Sequence, residues 1–103
     1  MHNEVVIEGP LVREPERREL KSGRSIWLMQ VAVPQVSGTG ADRVDCSVRS
    51  GRLMRAVATW EAGDVVRLEG HLRRRFFRVG DASRSTLEVS VQSGRRTRRA
   101  SAA

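Results

Sequence analysis

The stretch from Asp64 to Gly80, DVVRLEGHLRRRFFRVG, constrains the fold most strongly because two kinds of side chain alternate along it. Period-two alternation predicts a half-buried antiparallel strand with one apolar face in the core and one polar face in solvent. Gly70, in the middle, is expected to carry a bulge or a sharp bend. The predicted core face carries Val66, Leu68, Leu72 and Phe76, and the predicted outer face carries Arg67, Glu69, His71, Arg73, Arg75 and Phe77.

Four further segments have strand patterns, and the first of them is Asn3–Val12. Gly9 and Pro10 are expected to bend the first of them, since proline cannot donate a hydrogen bond to a neighbouring strand. The polar segment Arg13–Lys21, which follows it, is expected to be a loop or an exposed extension of that strand. The four segments are Asn3–Val12, Ser25–Val33, Arg43–Arg49 and Ser85–Gln92, the last with Leu87, Val89 and Val91 facing inward.

The segment Gly51–Ala62, GRLMRAVATWEA, is the one predicted helix. Its apolar residues recur at three- and four-residue spacing, Ser50 is placed to cap its start, and Gly63 is placed to end it. Trp60 is expected to be a core residue below the sheet. Trp27, in the second predicted strand, has two interpretations: a core or interface residue, or a platform on which a base stacks.

Five strands with a helix between the third and the fourth follow the order of an OB-fold, a small, partly open barrel. We therefore predict an all-β protein with one helix, built as a five-stranded OB-fold barrel over residues 1–93. The segment 94–103 is basic and has no apolar pattern, so it is predicted to be a disordered tail.

The charge balance points to an anionic partner. The chain carries 19 Lys+Arg against 12 Asp+Glu, a net charge of +7, and Lys21 is its only lysine. Arginine suits phosphate because its planar guanidinium donates two parallel hydrogen bonds and can also lie on a base. A polyanion is therefore the expected partner, although a merely solvated arginine-rich surface gives the same composition.

Several classes of site find no support in the sequence. Cys46, the single cysteine, excludes an internal disulfide and a cysteine-only zinc site, and its place on the apolar side of a strand predicts a buried side chain rather than a catalytic thiol. The carboxylates of Asp45, Glu69 and Glu88 are expected to face solvent, and no catalytic pattern or phosphate-binding glycine loop is present. We therefore expect no enzyme activity, no cofactor and no metal.

The sequence also indicates where in the cell the protein is found. No apolar run reaches the roughly 20 residues of a membrane span. The first residues, MHNEVVIEGP, alternate like a strand and do not follow the charged, apolar and small-residue order of a signal peptide. A cytoplasmic protein is therefore expected.

Three stretches of the chain resemble the bacterial single-stranded-DNA-binding protein family: NEVVIEGPLVREPERRELKSGRS, DRVDCSVRSGRLMRAVATW, and GDVVRLEGHLRRRFF followed by a hairpin and TLEVSV. The resemblance runs from Asn3 to about Gln92. It implies an OB-fold that binds single strands irrespective of sequence, performs no catalysis and assembles as a homo-oligomer, a dimer or a tetramer, partly through its first strand. An aromatic residue near the end of the fourth strand stacks on a base in that family, and Phe77 stands at that place here.

The chain departs from the family pattern in two places. Members often carry further aromatic residues after the third strand, where this sequence has Arg49 and Ser50. Typical members also continue into a glycine-rich tail with an acidic tip that recruits repair and replication enzymes, whereas the last residues here are RRTRRASAA. The resemblance thus implies a short, tail-less member for which such recruitment is not expected.

The predicted function is sequence-independent binding of single-stranded DNA in DNA replication, repair or recombination, in association with the nucleoid. Two alternatives stay open: a protein-interaction OB module of the primosome-accessory type, and an RNA-binding OB domain. The candidate nucleic-acid contacts are Arg49, Arg67, Arg73, Arg75 and Phe77 on the outer strand face, with Arg24, Arg43, Arg78 and Arg84 nearby.

Overall fold

The computed structural model describes residues 1–49 and 51–101 of the chain. They form a six-stranded sheet in the order β1-β5-β6-β4-β3-β2, in which only the β4–β6 pair is parallel. The elements are β1 (Val5–Pro10), β2 (Glu16–Glu19), β3 (Ser25–Pro34), β4 (Ala41–Val48), α1 (Arg52–Val57), β5 (Val65–Val79) and β6 (Ala82–Arg98).

The two flanks of the sheet come together without closing it into a barrel. After Pro10 the chain leaves β5 and crosses to β3, where Leu11 and Val31 form one isolated bridge and the Val12 N–H donates to the Gln30 carbonyl at 2.9 Å. The predicted five-stranded barrel is therefore corrected to a six-stranded sheet with a short seam between β3 and the residues that follow β1. The bend predicted at Gly9 and Pro10 lies where β1 ends.

The structure has six strands where five were predicted, because the segment Arg13–Lys21 contains β2. This strand, ERRE, pairs with residues 25–28 of β3 through a turn in which the Leu20 N–H donates to the Arg24 carbonyl at 2.7 Å. All four of its side chains are exposed. A strand whose two faces both meet solvent shows no apolar alternation, so the sequence pattern could not reveal it.

The helix lies between β4 and β5 and is half as long as predicted. It covers Arg52–Val57, and a turn follows in which the Trp60 N–H donates to the Val57 carbonyl at 3.0 Å. Trp60 is buried, as predicted, but it lies in this turn and not in the helix. Ser50, the predicted cap, lies outside the described residues. Within the described part of the chain, no helix has the length and apolar character that a membrane crossing needs.

The core lies on one face of the sheet, where Trp60 and the residues of α1 pack against the strands. Alternation predicted most of it, including Cys46, whose pKa is raised to about 12 by burial and by the neighbouring Asp45 and Glu88 carboxylates. Trp27 is partly buried and packs against this core. The buried cluster comprises Leu11, Met29, Val31, Cys46, Val48, Val57, Trp60, Val66, Leu68, Val89 and Val91.

The far half of the β5–β6 hairpin extends beyond the core. β1 pairs with β5 only as far as Gly70, and β4 pairs with β6 only at Val89 and Ser90, so later residues of β5 pair with β6 alone. Three side chains predicted to face the core are exposed there for this reason: Leu72 at 44%, Phe76 at 71% and Leu87 at 54%.

The C-terminal segment is more ordered than predicted, since residues 94–98 belong to β6 and pair with the start of β5. Gly94 lies so close to Leu68 that an added Cβ would sit 2.7 Å from the leucine side chain. Beyond the strand, the Ala100 N–H donates to Asp64 Oδ1 at 2.7 Å. The prediction of a disordered tail from residue 94 is therefore wrong for residues 94–98, a strand segment of sequence GRRTR that has no apolar alternation.

Asp64 anchors this segment, and its replacement by asparagine is expected to lower stability by about 1–3 kcal/mol. Its buried carboxylate accepts hydrogen bonds from the Ala100 and Glu61 backbone N–H groups, and Arg96 Nη1 lies 3.4 Å from Oδ2. An asparagine amide would turn a donor towards one of these donors. Urea unfolding of the full chain at pH 7 measures the loss.

The pH dependence provides the control for this variant. Burial raises the pKa of Asp64, but the two backbone donors and Arg96 outweigh it, and the pKa lies below its ordinary value. A depressed pKa means that the ionised carboxylate stabilises the fold fully above its unfolded pKa, and that this contribution fades as the pH falls towards the folded pKa. The stability gap between wild type and Asp64→Asn should therefore narrow below about pH 4. A stability difference that stays constant with pH would contradict a stabilising role for the ionised Asp64 carboxylate.

Candidate nucleic-acid interface

A groove of about 450 Å³ opens on the outer face of the sheet, between the β2–β3 hairpin and the extended half of β5. Four of the predicted contacts, Arg49, Arg73, Arg75 and Phe77, meet here. The sequence did not predict the other lining residues. The full lining is Arg18, Leu20, Ile26, Leu28, Arg49, Arg73, Arg74, Arg75, Phe76 and Phe77.

Strand alternation places three groove residues of β5 on one face. Arg73, Arg75 and Phe77 occupy alternate positions of β5, so their side chains leave the sheet on the same side. On β3, Ile26 is buried and Leu28 is half-buried, and both line the groove. The groove therefore combines apolar surface with guanidinium groups, which suits a ligand that has flat rings and anionic linkers.

The two phenylalanine rings differ in their surroundings. Phe77 is 37% exposed, and the guanidinium carbon of Arg75 lies 5.3 Å from its ring centroid, within the range of a cation–π contact. Phe76 was predicted to lie in the core, but no element covers that face of the hairpin, and its ring also lines the groove. Both rings are thus available to a ligand.

Glu88, which was predicted to face solvent, is 1% exposed beside the groove. Ser47 Oγ donates a hydrogen bond to its Oε2, Arg49 Nη2 lies 3.4 Å from Oε2, and Arg75 Nε lies 2.6 Å from Oε1. The burial follows from the parallel pairing of β4 with β6, which brings Ser47 beside this part of β6. In the sequence Glu88 is only a polar residue at an alternate position, so its burial carried no local signal.

A smaller cavity of about 140 Å³ adjoins the groove through the residues Arg18, Leu28 and Arg75 that both share. Asp45 lines it, and its Oδ1 accepts a hydrogen bond of 2.8 Å from Gln30 Nε2. Asp45 was predicted to face solvent but is half-buried.

Arg18 belongs to β2, which the sequence did not predict as a strand. Its Nη2 lies 2.9 Å from Glu16 Oε1, and this hydrogen bond lowers the pKa of Glu16. Arg74, which the sequence analysis did not single out, lines the groove and donates to Ser85 Oγ at 3.0 Å. These two arginines add positive charge to the two sides of the groove.

The structure does not bring the remaining predicted residues into the groove lining. Arg67 lines a separate groove of about 260 Å³ with Glu69, Ser93, Gly94 and Arg95, where its guanidinium lies 3.7 Å from Glu8 and 3.8 Å from Glu69. The others are exposed. Arg24 lies in the β2–β3 turn, Arg43 near the start of β4, and Arg78 and Arg84 near the tip of the β5–β6 hairpin, where Arg84 pairs with Phe77.

A small sheet with an arginine-lined groove, apolar side chains and exposed rings has the features of the β domains that bind single-stranded nucleic acids. The chain belongs to the single-strand binding protein family, whose family model matches residues 2–97, nearly the whole chain. This confirms the family resemblance. The family implies an OB-fold, and its members are non-enzymatic proteins that bind single-stranded DNA. No curated protein matches the chain.

Proposed function

We propose that the protein binds single-stranded DNA without regard to base sequence, along the groove between the β2–β3 hairpin and β5. The observation that carries this proposal is the meeting of arginines from three strand regions with two exposed rings on one apolar floor. Each phosphate that an arginine neutralises releases counterions, so the logarithm of affinity should fall with the logarithm of salt by roughly 0.7 per phosphate. Stacking on a ring adds about 1–3 kcal/mol per base and tolerates any base.

The contacts divide into an inner and an outer set. Arg49, Arg73, Arg75 and Phe77 line the groove and are proposed as the inner set, joined by Phe76. The outer set would meet a longer strand as it leaves the groove. It comprises Arg24, Arg43, Arg67, Arg78 and Arg84, which are distributed along the same sheet.

We further propose that the protein is a homo-oligomer that assembles partly through β1. β1 is an edge strand of the sheet, and its residue Val6 is 53% exposed. An exposed apolar residue on a strand with an unpaired edge favours association with another copy. Cytoplasmic location near the nucleoid and a part in DNA replication, repair or recombination follow from the proposed DNA binding.

The deciding experiment is a titration of labelled oligothymidine at two salt concentrations, with light scattering before and after addition. Binding at micromolar concentration or tighter that weakens with salt and strengthens with oligonucleotide length supports the proposal. No binding would favour the protein-interaction module. Stronger competition by poly(U) than by poly(dT) would instead identify an RNA-binding domain.

A further inference from the structure

Glu88 stands apart from the other buried charge of the described residues. Asp64 is also buried, but its partners are two backbone N–H groups and Arg96, which tie the C-terminal segment to the sheet. The charged partners of Glu88 are instead Arg49 and Arg75, two arginines that line the groove. The carboxylate therefore acts on the binding surface.

Burying a carboxylate carries a large desolvation cost, and a buried ion pair is often no more stable than an apolar residue of similar size. Stability alone thus gives no reason for a glutamate at position 88. What the carboxylate does change is the local charge: two arginines and one glutamate sum to a single positive charge. It also holds Arg75 close, since Arg75 Nε lies 2.6 Å from Glu88 Oε1 while the guanidinium carbon lies 5.3 Å from the centroid of the Phe77 ring.

From this arrangement, and resting on the proposed DNA binding, we infer that Glu88 is a positioning residue that acts as an internal anion. It holds Arg49 and Arg75 in place and limits the pair to neutralising one phosphate. Arg75, paired with Glu88, meets the ligand beside the ring of Phe77. Arg73 and Arg74 then supply the remaining phosphate contacts of the groove.

The test is Glu88→Gln, which keeps the shape and can still accept a hydrogen bond from Ser47 but removes the charge. Both arginines then become available to phosphates. Oligothymidine should bind more tightly at low salt, and the salt slope should become steeper by roughly 0.7. A residue that only stabilised the fold would lower the unfolding free energy and leave the slope unchanged, and that result would overturn the inference.

Glu69→Gln is the matched control because it makes the same change of charge on β5, beside Arg67 and outside the groove. It should leave the slope for short oligothymidine unchanged. An equal steepening in both variants would show a general charge effect and would also overturn the inference. Failure of the wild type to bind oligothymidine would instead remove the proposed function itself.

Two further variants test the inference, and the first of them keeps it testable if Glu88→Gln does not fold, which circular dichroism would show. Arg49→Gln leaves Glu88 to balance Arg75 completely, so the slope should become shallower by roughly 0.7. The double variant Glu88→Gln with Arg49→Gln restores the wild-type local charge and should restore the wild-type slope. A slope that stays at the wild-type value in Arg49→Gln would contradict the inference.

Discussion

Replacing Gly70 with alanine is expected to destabilise the protein by about 3 kcal/mol or to prevent folding. A Cβ at this position would overlap the Ser90 carbonyl oxygen and lie 2.9 Å from its carbon. Both are backbone atoms of the paired strand and cannot rotate away. β5 and β6 would have to separate at the register shift between Glu69 and Gly70, where the bulge predicted from the sequence lies.

Urea unfolding followed by circular dichroism measures this effect. Gly40→Ala is the matched control, because it adds the same methyl group in the β3–β4 loop, where the nearest atoms are those of the Gln35 side chain at 3.4 Å. It should change stability by no more than about 0.5 kcal/mol. A Gly70→Ala protein as stable as the wild type would show that the strands can separate at the bulge without loss.

Alternation along the chain predicted which side of a strand each residue takes but could not predict what covers that side. Val66 and Leu72 share a face of β5, yet Val66 is fully buried and Leu72 is half exposed, because the core ends between them. Phe76 continues the same face into solvent. The number of neighbouring strands at each point is a property of the whole sheet, so it is absent from the local pattern.

The candidate site shows the same limit. Phe77, Arg73 and Arg75 were predicted as one face, and the structure brings them together in the groove. Glu88 could not be predicted as buried, because its burial depends on β4 pairing with β6 across about 40 residues of sequence. Arg18 was missed because β2 has no apolar alternation. Local patterns therefore predict strand faces, whereas the contacts between distant strands decide which charged residues share a site.

Replacing Phe77 and Arg73 together with alanine is expected to weaken oligothymidine binding by at least about tenfold. Loss of one stacking platform costs about 1–3 kcal/mol, and 1.4 kcal/mol corresponds to a factor of ten in affinity. Loss of Arg73 removes one phosphate contact and should make the salt slope shallower by roughly 0.7. Arg73 is chosen over Arg75 because removing Arg75 would deprive the buried Glu88 carboxylate of its nearest guanidinium.

Fluorescence titration at two salt concentrations separates the two losses, since the contribution of the ring persists at high salt and that of the arginine fades. Arg55→Ala with Val36→Ala is the control: it removes one arginine and one exposed apolar side chain outside the groove lining. Its affinity should stay within roughly twofold of the wild type, a difference below about 0.5 kcal/mol. Equal losses in both double variants would mean that net charge holds the strand, and the groove would then have no special part in binding.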